Sequence, residues 1–86
     1  MNTKVFVGNL PRSTTQEELS TLFAQAGEVT LTEIIKDRNT GASKGFAFVT
    51  MSTQSEAEKS IEMFDSYSLN EQELKVDWAK PRRNIL

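Results

Sequence analysis

Two phenylalanines and a lysine lie close together in the segment 44–51, which reads KGFAFVTM. Successive side chains of an extended strand point to opposite faces. Lys44, Phe46 and Phe48 should therefore share one face of a strand. The aliphatic Ala47 and Val49 should take the other face, toward a core. Planar bases can stack on rings exposed in this way, and a neighbouring cation can meet a phosphate.

A second segment, 5–10, repeats the pattern with the residues VFVGNL. Phe6 stands between Val5 and Val7, so the ring and the two valines should point to opposite faces. A lone phenylalanine in a strand usually packs in a core. Here three phenylalanine rings lie on strand faces opposite to faces that carry aliphatic residues. This arrangement favours an exposed binding surface instead.

These two segments resemble the sequence motifs of one family. Residues 44–51 resemble RNP1 of the RNA-recognition motif, K/R-G-F/Y-G/A-F-V-x-F/Y, except that Met51 replaces the last aromatic residue. Residues 5–10 resemble RNP2. The chain is therefore similar to RNA-recognition motifs from about Lys4 to Arg82, and especially to single-motif cyanobacterial proteins and chloroplast ribonucleoproteins. We predict a motif over residues 1–82 and a short basic and apolar tail over 83–86.

The resemblance implies single-stranded RNA as the partner and assigns roles to individual residues. Phe6 and Phe48 would stack on bases, Phe46 would lie between sugars, and Lys44 would contact the phosphate backbone. Other cations either bind RNA or are solvated. The full set of candidate RNA-binding residues is Phe6, Phe46, Phe48, Lys44, Lys4, Lys75, Lys80 and Arg82.

The order of the predicted elements indicates the fold class. Capping-box patterns at Thr15–Glu18 and Thr53–Glu56 predict the starts of two helices, the first of which should stop at Gly27. Strands are predicted around the two motifs, over 29–36 and over 73–78, with a turn at 69–71. The order βαββαβ is typical of the α+β ferredoxin-like fold. The resemblance implies a four-stranded antiparallel sheet in the order 4-1-3-2, with both helices on one face.

Composition excludes several kinds of chemistry. The 86 residues include no cysteine and no histidine. A disulfide, a thiolate metal site, an imidazole ligand and the usual general base are therefore missing. We expect a binding protein that is not an enzyme and needs no cofactor or metal.

Size and hydropathy lead to further expectations. The length suits one domain, for which we expect a monomer. No apolar run is long enough for a membrane span, and no signal-peptide core is seen at the N-terminus. We expect a cytoplasmic protein, or an organellar one if a transit peptide has been removed.

The charges are unevenly distributed, although the net charge is only -2. Most acidic residues lie in the predicted helices and in turns, whereas most basic residues lie on strands, in the loop before RNP1 or at the C-terminus. Glu33 and Asp77 depart from this pattern, because alternation puts both carboxylates on the face of the rings. We expect an acidic helical side and a more basic sheet side.

Three other residues have expected roles of a local kind. Asn9 should hold a loop and not bind a base. Trp78 should either pack under the sheet edge or stack on RNA. Glu71 stands in a turn where a left-handed conformation would be strained, so Asn70 should adopt it instead.

Two alternatives to RNA binding differ in class. A protein-interaction module could use the same fold, but such members of the family tend to lack the motif aromatics. Single-stranded DNA is an alternative ligand, since only contacts to the 2′-hydroxyl distinguish it from RNA.

Overall fold

The computed structural model describes residues 3–79. Its elements are β1 Lys4–Gly8, α1 Gln16–Phe23, β2 Val29–Lys36, β3 Ser43–Met51, α2 Gln54–Phe64, β4 Ser68–Leu69, β5 Gln72–Glu73 and β6 Lys75–Trp78. A four-stranded antiparallel sheet has the order β2-β3-β1-β6, and β4 and β5 form a separate hairpin. Because β6 is the fourth predicted strand, the order 4-1-3-2 and the ferredoxin-like fold are confirmed.

The core lies between one face of the sheet and the two helices. Val5, Val7, Ala47 and Val49 are fully buried from the strand side. The rings of Phe23 and Phe64 meet in the helical layer, with their centroids 4.7 Å apart. Met51 is only 1% exposed, so the unusual last residue of RNP1 fills core space, as alternation predicts.

The first capping box forms as predicted. Thr15 Oγ1 accepts a hydrogen bond from Glu18 N at 3.1 Å, and Glu18 Oε1 accepts one from Thr15 N at 3.0 Å. α1 nevertheless ends at Phe23, before the predicted stop at Gly27. Gln25 N and Ala26 N bond to carbonyls three residues back, so the chain tightens into turns there.

The second capping box forms only in part. Thr53 Oγ1 accepts from Glu56 N at 3.1 Å. The carboxylate of Glu56 accepts instead from Glu28 N at 3.3 Å and from Ser52 Oγ at 2.9 Å. Glu56 therefore ties the start of α2 to the segment that leads into β2.

The predicted strand over 73–78 is interrupted at Leu74. Gln72 and Glu73 pair with β4, and β6 begins only at Lys75. The turn that joins β4 to β5 has φ of 50° at Asn70 and 69° at Glu71. Both residues are therefore left-handed, and the expectation that Asn70 would spare Glu71 is wrong. A two-residue hairpin of this type needs positive φ at both central positions.

The segment that follows α2 occupies the start of the outer edge of β6. Asp65 Oδ1 accepts a hydrogen bond from Val76 N at 3.1 Å. Ser66 N donates to Leu74 O, and Leu74 N donates to Tyr67 O, both at 2.8 Å. Backbone groups of the last strand and of the residue before it are thus satisfied within the chain.

No helix in residues 3–79 is long and apolar enough to cross a membrane.

Candidate nucleic-acid interface

Three aromatic rings lie together on the sheet face that the helices leave open. Phe6 and Phe48 are direct partners in the register of β1 and β3. The Phe6 centroid lies 5.8 Å from that of Phe46 and 5.8 Å from that of Phe48. Phe46 and Phe48 are 6.3 Å apart. All three are half-buried, as the alternation of β1 and β3 predicts.

Gly8 leaves room for the ring of Phe6. A Cβ atom on this glycine would lie 2.8 Å from Cε2 of Phe6, closer than carbon atoms normally approach. The ring thus lies over a stretch of backbone that has no side chain of its own. The sequence motif includes Gly8, but its contact with Phe6 depends on the orientation of the ring.

One row of paired residues crosses the four strands, and a carboxylate lies at each end of this row. Glu33 pairs with Phe48 in the register, and Asp77 pairs with Phe6. Both carboxylates are exposed. Alternation predicted this placement. Hydrogen-bond acceptors therefore lie beside the rings of Phe48 and Phe6 on the open face.

Lys4 lies above Phe48 and beside Glu33. Its Nζ atom is 5.0 Å from the ring centroid of Phe48 and 3.8 Å from Glu33 Oε1. The two charged side chains are 46% and 48% exposed, so their attraction adds little stability. The main effect of this attraction is on position, because it holds the Lys4 cation over the ring of Phe48. Alternation predicts the shared face but not this contact.

Lys44 lies where β3 bulges. Ile34 pairs with Ala47 but Lys36 pairs with Ser43, so β3 has extra residues in this interval. Gly45 takes a φ of 90° there, which favours glycine. Strict alternation therefore does not hold through Lys44. Its exposed side chain lines a cleft at the end of the sheet.

The remaining predicted residues fall into three groups. Lys75 is exposed on β6, opposite Gly8 in the register. Trp78 is partly buried against the core, which favours the packing role. Lys80 and Arg82 lie outside the described residues.

Asn9 has the loop role that was expected. Its Nδ2 donates to Glu73 O at 2.7 Å, while Gln72 Nε2 donates to Asn9 O at 3.1 Å. These bonds tie the end of β1 to the β4–β5 hairpin.

Within residues 3–79 no three His, Cys, Asp or Glu side chains form a group that could hold a metal ion. What the open face offers is flat apolar surface, hydrogen-bond acceptors at its ends and cations around it. These are the groups that hold unpaired bases and their backbone.

Comparisons with known proteins agree with this geometry. The family model for the RNA recognition motif matches residues 5–75. The chain is 51% identical over 79 residues to the chloroplastic RNA-binding protein CP31B of Arabidopsis thaliana, a match that covers 92% of this chain and 27% of that protein. A solved Sxl-lethal protein/RNA complex superposes with a TM-score of 0.91 at 32% identity, covering 95% of this chain and 49% of that one.

A second solved structure, the Rna15 motif with bound RNA (GU), has a TM-score of 0.83 at 25% identity and covers 92% of this chain and 84% of that one. The family model spans most of the chain, including both motif strands and both helices. The chain belongs to the RNA recognition motif family.

Proposed function

We propose that this chain binds single-stranded RNA on its open sheet face and carries out no covalent chemistry. The observation that carries the proposal is the cluster of Phe6, Phe46 and Phe48, with centroids 5.8 to 6.3 Å apart on the face opposite to the core. Two structural neighbours, the Sxl-lethal protein/RNA complex and the Rna15 motif with bound RNA, support it.

The rings would take different parts of the strand. Phe6 and Phe48 stack two successive bases, and Phe46 packs against sugars. The ring spacing of 5.8 to 6.3 Å is compatible with these roles. Each stacked base would keep its edges free for hydrogen bonds. Stacking tolerates every base, so base preference comes from the groups around the rings.

The charged groups would hold the backbone and select base edges. Lys44 and Lys75 contact phosphates, and Lys80 and Arg82 extend these contacts beyond β6. Lys4 leaves the ring of Phe48 when a base arrives and turns to a phosphate. This arrangement favours bases that present hydrogen-bond donors to a carboxylate at the ends of the row.

A Phe48→Ala variant tests the stacking surface. Loss of one stacked base costs ~1–3 kcal/mol, or roughly 5- to 150-fold in affinity. Fluorescence anisotropy with a labelled single-stranded RNA measures this loss. Thermal unfolding should show little change, because Phe48 is outside the core.

Two further variants make the result interpretable. Met63→Ala, which removes an apolar side chain 39% exposed on α2, should leave affinity unchanged. Phe23→Ala should instead cost ~3–5 kcal/mol of stability as a core truncation. If Phe48→Ala unfolds the domain while affinity per folded molecule persists, the ring does not belong to the RNA surface.

The same titration with DNA of matched sequence separates RNA from single-stranded DNA as the preferred ligand. Weaker DNA binding would report contacts to the 2′-hydroxyl. Equal affinities would mean that binding depends on base stacking and phosphate contacts alone, without contacts to the 2′-hydroxyl. No binding to either strand would favour the protein-interaction alternative.

The relatives also bear on where the chain acts. CP31B of Arabidopsis thaliana and other relatives that match over 79 residues are chloroplastic proteins, which supports the organellar alternative. A cytoplasmic location stays a prediction, as does a monomeric state.

A further inference from the structure

The carboxylates at the two ends of the row differ in their surroundings. Glu33 Oε1 lies 3.8 Å from the Lys4 Nζ atom, which partly neutralises it. Asp77, the partner of Phe6 in the register, is exposed and forms no ion pair with another of residues 3–79. Phe6 and Asp77 also line a common cleft at the β6 side of the sheet. A charged acceptor that no ion pair neutralises thus stands beside the ring of Phe6.

One hydrogen bond orients the carboxylate of Asp77. Its Oδ1 atom accepts from Trp78 N at 2.7 Å. A carboxylate has two oxygens with about four acceptor positions, so this bond leaves most of them for a ligand. An acceptor that is already oriented loses little conformational freedom when a ligand binds. Asp77 is therefore prepared to accept hydrogen bonds from a base that stacks on Phe6.

The positions of the rings determine which edge of that base faces Asp77. Phe46, which we propose packs against sugars, belongs to β3, and its centroid lies 5.8 Å from that of Phe6. β3 and β6 lie on opposite sides of β1. A base on Phe6 whose sugar lies toward Phe46 therefore directs the edge opposite to its sugar toward β6. This is the Watson–Crick edge, which is accessible in a single strand.

The four bases differ in what this edge offers to a carboxylate. Guanine presents two adjacent donors, N1–H and the N2 amino group, one for each carboxylate oxygen. Adenine and cytosine present one amino group beside a ring nitrogen that accepts, so the second carboxylate oxygen would face another acceptor. Uracil presents a single N3–H between two carbonyl oxygens. Because hydrogen bonds to a charged group are the stronger ones, a fixed carboxylate favours guanine.

We infer that the position over Phe6 selects guanine through the carboxylate of Asp77; the inference rests on the proposed function. The RNA bound by this chain then contains a guanosine at the nucleotide whose base stacks on Phe6. Both N–H groups of its Watson–Crick edge donate to Asp77, while Oδ1 keeps its bond from Trp78 N. Asp77 is in this way a specificity-determining residue, although its charge opposes the binding of phosphates.

The test compares three labelled octanucleotides by fluorescence anisotropy. One is uridine throughout, the second has one central guanosine, and the third has one central inosine. Inosine keeps the N1–H and O6 groups of guanosine but lacks the N2 amino group. The original chain should bind the guanosine strand roughly 5- to 150-fold more tightly than the uridine strand. The inosine strand should bind roughly tenfold more weakly than the guanosine strand, because it loses one bond to a charged group.

Asp77→Asn tests the carboxylate with little disturbance of the fold. Asparagine keeps the size of the side chain and an acceptor for Trp78 N, so the melting temperature should stay close to that of the original chain. Its amide offers one acceptor and one donor, which match N1–H and O6, the groups that guanosine and inosine share. The ratio of the guanosine to the inosine affinity should therefore fall from roughly tenfold to within about twofold.

The ratio of affinities is the useful quantity because loss of a negative charge changes the affinity for every strand alike. Glu58→Gln is the matched control, since it neutralises an exposed carboxylate on α2, away from the open face. This variant should keep the roughly tenfold ratio of the original chain.

The outcomes separate the inference from the proposed function. A ratio that stays near tenfold in Asp77→Asn would overturn the inference. A fall of the ratio in Glu33→Gln but not in Asp77→Asn would also overturn it, by placing the guanine over Phe48. Equal binding of the three strands by the original chain would overturn it and leave the proposed function intact. If the original chain binds none of the strands, the proposed function fails, and the inference with it.

Discussion

At the scale of single residues, the surroundings of Phe48 decide how its ring can be used. Lys4 lies over the ring and is held there by Glu33 at 3.8 Å. A base that stacks on Phe48 must displace this cation. The ion pair is exposed at both ends, so displacing it should cost less than a stacked base gains.

Glu33→Lys should tighten RNA binding. The substitution removes a carboxylate that repels phosphate, releases Lys4 from its partner, and adds a cation beside the rings. One added contact to a single strand should steepen the log–log salt slope by about 0.7. Anisotropy titrations at several salt concentrations measure both quantities.

Glu58→Lys is the control for net charge, because it makes the same change at an exposed position of α2. Equal tightening by both variants would show that overall charge, and not the position of Glu33, controls affinity.

Strand alternation predicted the faces of Phe6, Phe46, Phe48 and Met51, because a regular strand has a fixed period. It did not extend to Lys44, since the β3 bulge at Gly45 breaks that period. The Lys4–Phe48 contact depends on the rotamer of a long side chain, which sequence spacing does not determine.

At the scale of elements, the β4–β5 hairpin contains a residue that is poorly suited to its backbone conformation. Glu71 has a φ of 69° although it bears a Cβ atom. The left-handed region costs about 1–2 kcal/mol for such a residue. The hairpin persists because Asn9 and Gln72 bind it to the end of β1.

Glu71→Gly should stabilise the domain by about 1 kcal/mol, because glycine adopts this φ without a steric penalty. For a domain of this size that corresponds to a rise of roughly 4–8 °C in melting temperature. Thermal unfolding followed by circular dichroism measures it. Glu71→Ala keeps the penalty and removes the charge, so a similar gain in that variant would point to electrostatics instead.

Helix starts were predictable where their contacts are local. Thr15 and Glu18 are three residues apart and satisfy each other. Glu56 has the same spacing from Thr53, but its carboxylate accepts from Glu28 N, 28 residues away in sequence. A local pattern does not reveal competition from a distant donor.

At the scale of the whole molecule, charge differs between the two sides of the sheet. α1 and α2 carry most of the glutamates, and the ring side carries Lys4 and Lys75 together with Glu33 and Asp77. The ring side is therefore mixed and not uniformly basic. Additional cations should therefore raise RNA affinity most where they lie beside the ring side.

A chain that ends at Ala79 should bind RNA more weakly by a modest factor, with little loss of stability. Ala79 N donates to Lys4 O at 3.0 Å, which places this point of the chain beside the open face. Deletion of residues 80–86 removes three cations, Lys80, Arg82 and Arg83. The deficit should be largest at low salt and fade as salt rises.

Titrations of both chains across salt, with melting curves, measure this effect. Equal affinities at low salt would show that these cations do not contact RNA. A large fall in melting temperature would show that the segment packs against the domain.

The partly occupied outer edge of β6 has a consequence for assembly. Sheets grow by adding strands at their edges, and an endless stack needs two edges that can accept one. Asp65, Ser66 and Tyr67 already occupy backbone groups of Leu74 and Val76 at one side of the sheet. In the four-stranded sheet of residues 3–79, the outer strand on the other side is β2. We therefore expect self-association through this sheet to use β2 and to favour a pair of chains over a fibre.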